Sequence, residues 1–148
     1  GAVLVAGGHP VAEGELGKGY FIAPTVFANV RNDMNIAREE IFGPVLGIIP
    51  FDDEEEAVRI ANDTRFGLAS GIWTSDMKRV HRLTRRLQSG TVWVNTYRTT
   101  AAQAPFGGIK MSGYGRERGG HALLEYTQIK NVMINMSDET RDPFSIQV

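Results

Sequence analysis

The chain has 148 residues, 42% of them hydrophobic and 22% charged, with a formal net charge of −1. That is the size of one ordinary domain with apolar material enough for a core, and the near-neutral balance argues against a nucleic-acid surface. There is no cysteine, which excludes disulfides, thiolate metal sites and any thiol nucleophile within these residues.

No apolar run approaches the roughly 18–20 residues that cross a bilayer. With no signal-peptide pattern at the start, the expectation is a cytoplasmic chain with neither membrane nor nucleic-acid partners. The first residues, Gly1-Ala2-Val3-Leu4-Val5-Ala6, already look like a strand, which suggests a piece of a longer protein. Residues 25–30 read as a second strand after a Gly- and Pro-rich stretch ending at Pro24. The run at 45–51 is short and apolar, as in a parallel strand buried on both faces. Asp52 is expected to cap a helix over 53–62, whose acidic first turn, Asp53 to Glu56, suits the positive end of the helix dipole. A cation site is the rival reading of that turn, disfavoured because four consecutive helical carboxylates point in different directions.

Residues 67–74 read as a further strand, and Ser75 or Asp76 then caps a helix carrying Val80, Leu83 and Leu87 at i, i+3 and i+7. Arg82, Arg85 and Arg86 form its wet face, and Gly90 ends it. A strand at 91–95 follows, then a Gly-rich loop to about 115, a helix over 118–126 and a strand over 129–136. The tail from 137 to 148 is polar and reads as loosely ordered. Alternating strands and helices predict an α/β fold, a parallel open sheet with flanking helices. His9, His81 and His121 have no metal-ligand spacing. Asn62-Asp63-Thr64 and Asn135-Met136-Ser137 match a glycosylation pattern without a secretory context to support it.

Two loops beside strand ends are placed where α/β proteins bind ligands. In the first, Glu40 and Phe42 stand at i and i+2, where an extended segment turns both side chains to one face. A carboxylate can accept paired hydrogen bonds from vicinal hydroxyls, and a Phe offers a flat apolar surface to a ring. Gly43-Pro44 would stiffen the turn, and the plain alternative is a polar turn with one buried Phe. The second loop, 104–117, is dense in glycine and implies positive φ or close backbone approach. Gly113-Tyr114-Gly115 with Gly119 misses the dinucleotide fingerprint, and no P-loop occurs.

Taken together, Glu40-Ile41-Phe42-Gly43-Pro44-Val45, Asn62-Asp63-Thr64-Arg65-Phe66-Gly67-Leu68-Ala69, Gly90-Thr91-Val92-Trp93-Val94-Asn95 and the stretch 105–117 closely resemble the aldehyde dehydrogenase superfamily. The segments 19–26 and 126–132 fit as well. The resemblance implies the C-terminal part of the catalytic domain over 1–127, followed by an oligomerisation strand and polar tail over 128–148. It implies oxidation of an aldehyde to an acid with NAD or NADP through a cysteine thioester, the cysteine, the general-base glutamate, the oxyanion asparagine and the main dinucleotide-binding unit lying outside this chain. The isolated chain is therefore expected to be inactive.

By position, the resemblance makes Glu40 the ligand of the nicotinamide ribose and Phe42 the residue packing near the nicotinamide ring. Phe106 lines the aldehyde tunnel, with Thr100 and Arg98 at its mouth; Arg98 is a candidate partner for a substrate carboxylate, with a plain surface arginine as the alternative. Glu117 is a candidate relay to the active-site water, or else a structural ion pair. Main-chain carbonyls of Lys110 and Gly113 are candidates to hold potassium. Trp93 is expected in the core. The strand at 129–136 would add to a neighbouring subunit, giving a homo-dimer or tetramer. The two loops are expected to wall one nicotinamide-and-aldehyde cleft. A non-catalytic assembly module of the same fold, or a member with CoA-acylating or phosphate-reducing chemistry, are the alternatives.

Overall fold

The computed structural model describes residues 1–139 and 144. Much of the polar tail read at 137–148 thus lies outside the described residues. The chain is mixed α/β, as its alternation of elements requires, but its strands form three small ladders instead of one sheet. β1 (Val3–Ala6) runs antiparallel to β2 (Thr25–Ala28), which runs parallel to β3 (Val45–Gly47). β4 (Phe66–Gly67) pairs antiparallel with β7 (Ile109–Lys110). β5 (Ala69–Ile72) pairs parallel with β6 (Thr91–Val94), Ala69 facing Thr91 and Ile72 facing Val94.

The helices are α1 (Asn35–Arg38), α2 (Glu54–Asn62) and α3 (Met77–Arg86) between strands, and α4 (Ala122–Glu125) after β7. Asp53, not Asp52, caps α2: its Oδ1 accepts from the Glu56 N–H at 2.8 Å, while the Glu56 carboxylate accepts from the Asp52 N–H at 3.0 Å. This is a capping box displaced by one residue, Glu56 reaching back one position further than usual. Asp76 caps α3, its Oδ1 accepting from the N–H groups of Lys78 and Arg79. α3 ends at Arg86, with Leu87 extended, before Gly90 is reached.

Two expected elements come out differently. The helix over 118–126 shrinks to α4, because Arg118 and Gly119 have φ of 64° and 58°, and consecutive left-handed residues cannot enter a right-handed helix. Among the described residues, 129–136 form no strand. A strand exists only where a partner accepts its backbone groups, and these residues instead expose Ile129, Val132, Met133, Ile134 and Met136.

The core is thin. Among the described residues the buried hydrophobics are Val30, Val58, Ile72 and Val80. β3 is an edge strand, with Leu46 and Ile48 about half exposed, so the run expected to be covered on both faces is open. An apolar trough of about 690 Å³ lies between β3, β5, α2 and α3, lined in part by Ile49, Phe51, Ile72, Trp73 and Leu83.

Candidate functional site

Residues 62–67 join the two candidate loops. The Asn62 amide donates to the Arg86 carbonyl at 2.9 Å and its Oδ1 accepts from the Gln88 N–H at 2.8 Å, tying the end of α2 to the end of α3. Its amide nitrogen is therefore engaged in the fold, which gives the Asn62-Asp63-Thr64 triplet a structural role. Lys110 Nζ donates to the carbonyls of Asn62 (2.9 Å) and Thr64 (3.1 Å), a cation set against the C-terminal end of α2 where the helix dipole favours it. The Met111 N–H donates to the Arg65 carbonyl at 2.9 Å, and the Gly67 N–H to Ser112 Oγ at 3.0 Å. In the sequence this segment shows as a helix end, a glycosylation-type triplet and a matching motif. Its bonds span 24 to 48 residues along the chain, so no local pattern could have revealed them.

From this junction Arg65 reaches the first loop, donating to the Glu39 carboxylate at 2.5 Å. Glu39 is thereby spent. Its neighbour Glu40 is exposed and has no hydrogen-bond or ion-pair partner among the described residues. Phe42 is 92% exposed with φ of 54°, so the segment is not extended and the i, i+2 alternation does not hold. The turn that follows is tight: the Val45 N–H donates to the Gly43 carbonyl at 2.8 Å, closing three residues around Pro44, while the Pro44 carbonyl accepts from Thr25 in β2. Phe42 is therefore presented outward from a braced turn, not buried in it.

In the second loop, Phe106 and Glu117 exchange both backbone hydrogen bonds at 2.8 Å. The glycines permit very close packing: a Cβ on Gly90 would sit 1.8 Å from the Gly107 carbonyl oxygen, and one on Gly107 would sit 2.3 Å from that of Gly115. A hollow of about 610 Å³ opens here, with Phe106, Arg116, Glu117 and Glu125 in its lining. The Glu117 side chain is exposed and forms no ion pair among the described residues. The Lys110 carbonyl accepts from the Gly113 N–H at 3.3 Å within a turn, leaving one of its lone pairs for any further ligand. Among the described residues no cluster of three or more His, Asp or Glu could hold a metal ion.

Residues 96–103 fold back on β6. Trp93 is half-buried, not in the core: its indole N–H donates to the Thr99 carbonyl at 2.8 Å, and its ring meets Tyr97 edge-on at 5.6 Å. Thr96 and Thr99 share a hydroxyl hydrogen bond of 2.6 Å. Asn95, at φ 53°, clamps Thr74 by accepting from its N–H and donating to its carbonyl, both at 2.9 Å. Arg98, at φ 56°, and Thr100 are exposed at the outside of this loop. A second hollow of about 300 Å³ lies beside Arg38, Glu39 and Arg65. It is separate from the one beside Phe106, and Glu40 and Phe42 line neither. The two loops are joined through residues 62–67 without walling a common hollow in this chain.

The acidic first turn of α2 is accounted for by neighbours. Glu54 accepts from Arg82 and Arg79, which hold its carboxyl down at about 2 from an ordinary 4.5. Glu55 pairs with Arg86, whose hydrogen bonds lower its pKa, and Glu56 pairs with Arg59. Glu54 and Glu55 thus engage Arg79, Arg82 and Arg86 of α3 while Glu56 pairs within α2, leaving no free cluster for a cation among the described residues.

The sequence profile of the aldehyde dehydrogenase family matches residues 1–132. The chain is 50% identical over 136 residues to a betaine aldehyde dehydrogenase of Rhizobium etli, covering 92% of the chain and 28% of that protein. A putative aldehyde dehydrogenase of Bacillus subtilis is 51% identical over 138 residues, 93% of the chain and 27% of the relative. The chain thus spans little more than a quarter of the length of these relatives. Among solved structures, P. syringae indole-3-acetaldehyde dehydrogenase in complex with NAD+ and IAA superposes with a TM-score of 0.82 at 50% identity, over 87% of this chain and 26% of that one. A Staphylococcus aureus betaine aldehyde dehydrogenase variant in complex with NAD+ gives 0.88 at 39% identity, over 98% and 30%.

Proposed function

The chain belongs to the aldehyde dehydrogenase family, and from that premise we propose that it is the C-terminal part of the catalytic domain of an NAD(P)-dependent enzyme oxidising an aldehyde to a carboxylic acid. The observation that carries this reading is the contrast between two adjacent carboxylates: Arg65 engages Glu39, while Glu40 has no partner among the described residues and stands beside an outward-facing Phe42. An exposed carboxylate next to a flat apolar ring fits a ribose diol and its attached nicotinamide, the group that would take up hydride. Relatives of known structure bind NAD+, and NADP stays within the proposal because the residues that read the adenine ribose belong to the rest of the enzyme.

In this reading Phe106 lines the aldehyde tunnel, with Thr100 and Arg98 at its mouth. Glu117 relays protons to the water that cleaves the thioester, and the carbonyls of Lys110 and Gly113 offer a potassium site. The nucleophilic thiolate comes from outside the chain, which has no cysteine. Residues 129–136 supply a strand to a neighbouring subunit, where their backbone groups would find ladder partners, making the assembled cytoplasmic enzyme a homo-oligomer.

The experiment is Glu40→Gln in the full-length enzyme. Losing charge-assisted hydrogen bonds to the ribose should raise the KM for the cofactor about tenfold, or about 1.4 kcal/mol, leaving the aldehyde KM near its original value. An unchanged cofactor KM overturns the assignment of Glu40. The isolated chain should show no aldehyde-dependent NAD reduction, and turnover by pure material would overturn the placement of the nucleophile elsewhere.

A further inference from the structure

The arginines at 31, 38, 59, 65, 79, 82 and 86 pair with carboxylates. Arg116 does not. One of its guanidinium nitrogens, Nη1, donates to the carbonyls of Gly108 (2.7 Å), Gly115 (2.9 Å) and Tyr114 (3.0 Å). Arg116 is half-buried and Gly108 is buried. The nearby Glu125 carboxylate is taken up differently, accepting from the Arg116 backbone N–H at 3.2 Å. Three main-chain oxygens converging on one positive centre is the arrangement by which a protein holds a monovalent cation, except that here the cation is tethered to the loop it organises. Carbonyl dipoles aimed at one point repel one another unless a positive charge sits among them.

We propose that Arg116 is a positioning residue for the aldehyde pocket, a built-in cation that gathers the carbonyls at 108, 114 and 115 and thereby sets the place of Phe106. The link is covalent and short. Arg116 precedes Glu117, whose backbone exchanges two hydrogen bonds of 2.8 Å with Phe106, and Gly108 lies two residues beyond Phe106. The Phe106 segment is thus held at Gly108 by the Arg116 side chain and at Phe106 itself by the backbone of the residue that follows Arg116. Lysine cannot replace it fully: its ammonium is a compact, strongly hydrated point charge on a flexible stem, whereas the guanidinium is a planar fork. The assignment of Phe106 to the aldehyde pocket rests on the proposed function; the ordering of the loop does not.

The test compares wild type, Arg116→Ala and Arg116→Lys in the full-length enzyme, with two independent readouts. Hydrogen exchange in peptides spanning 104–117 reports the Phe106–Glu117 pairing without reference to activity. Arg116→Ala should speed that exchange, and guanidinium ion at about 10 mM, well below denaturing concentrations, should slow it again. In kinetics, the aldehyde KM should rise about tenfold with kcat within about threefold and the cofactor KM unchanged, and guanidinium should restore part of the loss. Arg116→Lys should lie between. Unaltered exchange and aldehyde KM in Arg116→Ala overturn the proposal, as does a uniform loss of kcat, both KM values and thermal stability that guanidinium does not relieve. If the alanine variant fails to fold, the lysine variant decides: the same split at smaller size supports the proposal, and wild-type behaviour overturns it. Wild-type enzyme that oxidises no aldehyde removes the functional reading, while the exchange arm still decides the role of Arg116.

Discussion

Asn62 carries a donor and an acceptor to the end of α3, at Arg86 and Gln88, from the last position of α2. Alanine there would leave a part-buried carbonyl and an N–H to find water, and the expected cost is about 1–3 kcal/mol. The urea midpoint of Asn62→Ala in the full-length enzyme checks this; Asn62→Asp keeps the acceptor for Gln88 and should lose less. Gly107 is constrained by space: an added Cβ would meet the Gly115 carbonyl oxygen at 2.3 Å and Arg116 Cδ at 2.8 Å, so Gly107→Ala must displace backbone. The expected destabilisation is about 1–3 kcal/mol. Gly113 is constrained instead by its φ of 91°, with open space around it, and Gly113→Ala should cost less, about 1 kcal/mol. Equal costs for the two in denaturant titrations would contradict that distinction.

Helices α2 and α3 are joined by ion pairs whose partners were both visible in the sequence as an acidic turn and an arginine face. Their pairing was not. The Glu54 pKa is depressed in the folded state from 4.5 to about 2 by the hydrogen bonds from Arg82 and Arg79. A lowered folded value means a contribution present above pH 4.5 and lost as the pH falls through about 2. Wild-type thermal midpoints should therefore drop more steeply across that window than those of Glu54→Gln; parallel curves would deny Glu54 the role. The caps can be tested with equal directness. Asp53→Ala and Asp76→Ala each remove a side-chain acceptor from a helix N-terminus and should cost about 1 kcal/mol, measured by chemical denaturation.

At the scale of the molecule, the accessible surface of 12259 Å² far exceeds the roughly 7,500 Å² expected of a folded 16.3 kDa monomer. With half-exposed Leu46 on an edge strand, half-exposed Ile48 just after it and an apolar trough between α2 and α3, the isolated chain should self-associate. Sedimentation as a clean monomer at high concentration would contradict this.

What the sequence determined by itself is what depends on near neighbours. Helix caps of the Asp type, the amphipathic period of α3, the strand–helix alternation and the glycine demand of residues 104–117 all follow from interactions a few residues apart, and they came through with boundary shifts. The motif order likewise sufficed to identify the family. The tertiary structure alone decided that Arg65 pairs with Glu39 and not Glu40, that Trp93 pins the loop at 96–99, that α4 is cut short by Arg118 and Gly119, and that Arg116 faces carbonyls. Glu39 meets Arg65 across 26 residues and Lys110 meets Asn62 across 48. Such pairings are set by how elements pack, and packing is a property of the folded chain that no local window of residue types encodes.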